Sequence, residues 1–206
     1  MSCRSLCAAL VLCAPILSGA QSAAPYYDPP DLVAGLHRHH TALRASEFAA
    51  NAPRLVQSLQ AHCRGPAALE PARAAWTQTM LTWEALTAVP VGPLVERRSL
   101  RAIDFQPLRP DLLRRMLARE PRTLQDMVRV GTPAKGLPAI EHLLWVAPVE
   151  PGTPACGYAV LAAQEVQREA EALRSAFTAL ADAPPEQEAA VAAFVEFVNQ
   201  WLGGLE

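Results

Sequence analysis

A glutamate and a histidine stand side by side in an otherwise apolar run: Glu141 and His142 in VGTPAKGLPAIEHLLW, residues 130–145. Pro138, three residues before Glu141, suits the first position of a helix, where its missing N–H is not needed. Successive helical residues step round by about 100°. Ile140, Leu143 and Leu144 then share one arc, and Glu141 falls between Leu144 and Trp145 while His142 points to the other side. A carboxylate pressed into apolar surroundings must pair with a cation, bind a metal or take up a proton. Lys135 or an arginine would complete a structural pair, and a place in the first helical turn favours negative charge in any case.

Other groupings are weaker. In HRHH, His37 and His40 fall on one helical face with Arg44 and Glu47, which reads as a solvated polar face or a weak surface site for a divalent metal. Arg101 and Arg109 flank a Phe-x-Pro segment and could orient Glu141 or an anionic ligand, against surface solvation as the plainer role. No glycine-rich phosphate loop, nucleophile elbow or Ser/His/Asp arrangement is readable.

The N-terminus sets the compartment. Arg4, an apolar stretch from Leu6 to Leu17 and then Ser18-Gly19-Ala20 have the order of a secretory signal peptide cleaved near Ala20. The domains are therefore residues 1–20, a leader, and 21–206, one helical domain. Cys13 follows Leu12 rather than a small residue, so a lipoprotein is not expected. Cleavage removes three of the five cysteines and leaves Cys63 and Cys156. In an exported chain the simplest state of two cysteines is one disulfide. Buried thiols or a metal pair are the alternatives, and no CxxC spacing supports the metal pair. With 18 basic against 20 acidic residues, the chain lacks the basic footprint of a nucleic-acid binder. No apolar run after the leader reaches the ~20 residues that cross a membrane.

The elements that must position these residues read as helices punctuated by proline. Asp31 caps a helix to about Ala50, and Pro53 opens a second one to Cys63. Pro66 opens a third, whose Leu69, Trp76, Met80 and Trp83 form a core stripe. Residues 99–105 are ambiguous, Asp111 caps a basic amphipathic helix to about Arg119, and Pro121 begins a short segment to Val130. Two long helices follow, Tyr158–Ala181 with Glu165, Arg168 and Glu169 outward, and Glu186–Leu202 with Val191, Phe194, Val195, Val198 and Leu202 inward. No alternating strand pattern appears. The fold class is all-α, an antiparallel helical bundle.

Three segments together carry a family resemblance. GLPAIEHLLW resembles the glycine–HxxE–LLW signature of the imelysin family, exported helical proteins associated with metallopeptidase activity and bacterial iron uptake. CRGPAALEPARAAWTQTMLTWEAL resembles the family's cysteine and Ala-Arg-x-Ala-Trp helix. VGPLVERRSLRAIDFQPLRP resembles its Gly-Pro and Phe-Trp-Pro-x-Arg segment, with Gln106 in place of the tryptophan. The likeness runs from Leu32 to Glu206. It implies an imelysin-like bundle, here without most of the family's second bundle, since the chain ends at Glu206. It also implies a periplasmic location and an iron or divalent ion as cofactor. In HxxE, an imidazole and a carboxylate three residues apart can grip one metal ion. Pro138 stands where that histidine would be, so only Glu141 carries over as a metal ligand, with His142 a displaced second. The expected function is non-catalytic iron or metal acquisition with an envelope or iron-uptake partner; the alternatives are a metal-dependent peptidase and a metal-free structural or interaction module of the envelope.

Overall fold

A computed structural model describes residues 28–204 apart from 66, 184 and 185. The leader, its cleavage point at Ala20 and Cys13 lie outside the described residues. α1 (Pro29–Leu36) passes through a π-turn at His37–Thr41 into α2 (Ala42–Arg64). The expected break at Pro53 does not occur: the proline lies inside α2. One missing N–H is outweighed there by a fully packed face of Ala45, Phe48, Ala52, Leu55 and Leu59.

α3 (Glu70–Thr87) starts at Glu70-Pro71 rather than at Pro66, and buries Trp83 against Phe48, with ring centroids 5.2 Å apart. Short helices follow: α4 (Pro93–Glu96), α5 (Ser99–Ile103), α6 (Pro110–Leu117) and α7 (Leu124–Met127). Thr123 and Asp126 close a capping box on α7, whose start the sequence reading placed at Pro121. α8 (Gly136–Glu141) continues as a π-turn, His142–Val146. α9 (Pro154–Asp182) and α10 (Gln187–Gly203) complete the chain.

The bundle is all-α among the described residues. α9 is its axis, packed against α2, α8 and the short helices, while α3 covers α2 and α10 covers α1. Much of the inward stripe expected for α10 is not packed: Val191, Val195 and Leu202 are exposed, and the helix buries Ala190 and Phe197 instead.

The C-terminal end of α2 is fastened twice, to the first turn of α9 and to the segment that precedes it. Cys63 and Cys156 form a disulfide with Cα atoms 5.6 Å apart, which settles the three alternatives left by the sequence. Next to it the buried His62 places Nδ1 2.8 Å from the Ala67 carbonyl oxygen and Nε2 3.0 Å from that of Val149. The Val149 N–H in turn donates to the Leu143 carbonyl of the π-turn.

Candidate functional site

α8 begins at Gly136, so Pro138 is its third residue rather than its first. The missing N–H still costs nothing, because the first four N–H groups of a helix have no partner inside it. Gly136 has φ +74°, and a β-carbon there would lie 2.2 Å from the carbonyl oxygen of Ile103, at the end of α5. Only glycine combines that backbone angle with that approach. The segment before it is pinned as well: the Tyr158 hydroxyl donates to Ala134 O at 2.6 Å, and the Arg109 N–H donates to Pro133 O. Burial is the main reason the Tyr158 phenol is held well above its ordinary ionisation range.

The other side of α8 is held by α3. Trp76 Nε1 donates to Leu137 O at 3.0 Å, and Arg73 donates to Leu144 O through Nε at 3.0 Å and Nη2 at 2.8 Å. Leu144 O is one of the carbonyls left open at a helix C-terminus, where a cation is favoured. The Ala-Arg-x-Ala-Trp segment thus fixes the height and tilt of the motif helix. Trp145 folds edge-on to Trp76 and under the Arg73 guanidinium.

In this setting Gly136 to Ile140 are buried on every side, but Glu141 is exposed and His142 half-buried. This corrects the expectation of a carboxylate enclosed by apolar groups. Trp145, taken as the far limit of the buried arc, is itself on the surface, so Glu141 sits at the outer edge of that arc. Neither Lys135, Arg101 nor Arg109 pairs with Glu141 among the described residues. Lys135 turns to Glu165 instead, and the exposed Arg101 stacks on Phe105.

The buried acid is Glu165 on α9, 13% exposed, with Lys135 Nζ (15% exposed) 3.3 Å from its Oε1. Its Oε2 is buried with no hydrogen-bond partner among the described residues. Burial pushes this carboxyl above its ordinary value, and Lys135 and then Arg168 pull it partly back. One turn on, Glu169 accepts from Ser99 Oγ at 2.7 Å and from Arg97 through two bonds of 2.9 Å. Lys135, Glu165, Arg168 and Glu169 line a hollow of about 150 Å³ beneath Gly136. Sequence reading placed Glu165 and Glu169 outside. They are half-buried because α9 is covered on several sides, by α2, α8 and the short helices, and a single-stripe pattern shows only one of them.

A family-type metal needs two ligands on one face of α8. The donor set here does not provide them: a proline ring has no lone pair to offer, Glu141 faces solvent, and His142 is about 100° away from it round the helix. Among the described residues no three His, Cys, Asp or Glu side chains gather closely enough to hold an ion.

Comparison with known proteins gives the context. No curated protein matches the chain. Among solved structures, an imelysin-like protein from Psychrobacter arcticum 273-4 is similar with a TM-score of 0.71 at 16% identity, over 86% of this chain and 58% of that one. The chain therefore spans less than two thirds of that relative's length, and the likeness is one of fold. The imelysin family model matches residues 42–202, a span that holds the Arg73 and Trp76 clamp, the Gly136 contact and the motif helix, and the chain belongs to the imelysin family.

Proposed function

We propose that this chain is an exported, non-catalytic imelysin that serves iron or other metal acquisition in the periplasm by binding a carrier or an envelope partner. The observation that carries the reading is the buried Pro138 in the place of the motif imidazole, with Glu141 exposed beside it. A metallopeptidase needs a held metal, an activated water and a base, and this helix offers one carboxylate. The Cys63–Cys156 disulfide supports export, since such bonds persist in oxidising compartments. An iron or divalent ion that meets the motif does so at an open site of Glu141, with His142 as the only neighbouring donor in sequence.

The test is metal content and protein cleavage by the mature protein, compared with Glu141→Ala and Pro138→His. The expected result is weak, Glu141-dependent metal uptake, no chelator-sensitive cleavage, and tight metal binding gained in Pro138→His alone. Chelator-sensitive cleavage by the wild type, lost in Glu141→Ala, overturns the non-catalytic reading. No iron, zinc or copper above background at micromolar metal removes the ion from it.

A further inference from the structure

The HRHH segment does something other than solvate a helix face. The π-turn at His37–Thr41 adds a residue to the helical turn, and it swings His37 inward until the ring is 4% exposed. The imidazole packs against Phe197 and Phe177, with ring centroids 5.6 and 6.3 Å away. The Thr41 hydroxyl donates to the His37 carbonyl at 3.4 Å, so its oxygen is left to accept from His37 Nδ1–H at 3.0 Å. That tautomer leaves Nε2 with a bare lone pair and no protein donor among the described residues. Burial lowers the proton affinity of this ring below the ordinary histidine value, which keeps the lone pair free.

His37 lines a hollow of about 350 Å³ between α4, α9 and α10. Its other polar side chains are both carboxylates, Glu96 and Glu196. Glu196 is steered there by the Gly92 N–H, which donates to Oε1 at 3.4 Å. Neither lysine nor arginine lines the space, and Arg97, beside Glu96 in the chain, is drawn away to Glu169. The walls are apolar, made by Val91, Leu180, Phe197 and three alanines of α10. Every polar side chain that lines the hollow can therefore accept, two of them are carboxylates, and the Phe197 ring adds a face that attracts cations. The volume falls in the range of small-molecule pockets and far exceeds a bare ion. The three donors also do not gather as a metal-holding group.

We propose that this hollow is a binding site for a short primary alkylammonium ligand, whose charged head meets Glu196 and His37 Nε2 under the longer-range attraction of the exposed Glu96, and whose carbon chain lies along the alanine face of α10. The site lies on different elements from the motif helix and does not depend on the metal reading. The mature, disulfide-bonded protein titrated with butylamine at pH 7.5, where an alkylamine is protonated, tests it. Calorimetry is expected to show one saturable site, with NMR shifts at the His37 ring and the Gly92 amide. 1-Butanol and butyrate should bind at least tenfold more weakly. Glu196→Gln, which keeps the shape and the Gly92 bond, should weaken butylamine tenfold or more. Ala193→Met, which fills the space and leaves both carboxylates, should abolish binding. Butanol binding as tightly as butylamine, indifference to both variants, or zinc chloride shifting the His37 ring where butylamine does not, each overturns the proposal.

Discussion

Gly136 and Gly152 make a matched pair of experiments. Both have left-handed backbones, φ +74° and +75°, so alanine pays a similar conformational cost at each, about 1–2 kcal/mol. Their surroundings differ completely. A β-carbon at 152 meets nothing within 4 Å, whereas one at 136 meets Ile103 O at 2.2 Å and Ile103 C at 2.9 Å. These are backbone atoms and cannot rotate aside, so α8 must move from α5 by about 1 Å, into a region where Leu137, Ala139 and Ile140 are fully buried. Overpacking of that kind costs about 1–3 kcal/mol on its own. The expected destabilisation is about 1–2 kcal/mol for Gly152→Ala and about 2–5 kcal/mol for Gly136→Ala. Equilibrium urea unfolding at pH 7, followed by circular dichroism with the disulfide intact, measures both. A Gly136→Ala loss within about 0.5 kcal/mol of the Gly152→Ala loss would refute the contact between α8 and α5 as the reason for this glycine.

Three more expectations follow from the buried contacts. Replacing Cys63 and Cys156 together by alanine opens a loop with a sequence separation of 93 and should cost roughly 4–5 kcal/mol in the chain-entropy limit, read by the same urea assay; a loss under about 1 kcal/mol would contradict it. Lys135→Met leaves Glu165 with the more distant Arg168 alone, 3.6 Å away, and should cost about 2–4 kcal/mol, while the double change to methionine at 135 and 165 should cost less than the single one. Because burial raises the Glu165 carboxyl above its unfolded value near 4.5, its protonated form favours the fold. That contribution is full below the unfolded value and is lost as pH rises through the folded one, so wild-type stability should fall relative to Glu165→Gln over that interval; a rise instead would reverse the assignment.

The helices were legible because their apolar residues repeat at helical spacing, and the two long C-terminal helices fall within a few residues of their expected ends. The family's motif segments were legible for a different reason, their residue order. Pattern could not show how many sides of a helix are covered. Glu165 and Glu169 look solvent-facing on a helix treated as having one buried face, and Glu141 looks buried because it falls between Leu144 and Trp145, of which only Leu144 is in the core. The π-turn at His37–Thr41 breaks the 100° step on which the placement of His37 relied. The structural value of Arg73 and Trp76 was visible only as resemblance, since their partners are backbone carbonyls more than 60 positions away.

His62 spans two connections at once: from the end of α2, its Nδ1 reaches the Ala67 carbonyl oxygen and its Nε2 that of Val149. Removing the ring by His62→Ala would therefore loosen both the turn into α3 and residues 147–149 behind the signature helix, even with the neighbouring Cys63–Cys156 bridge intact.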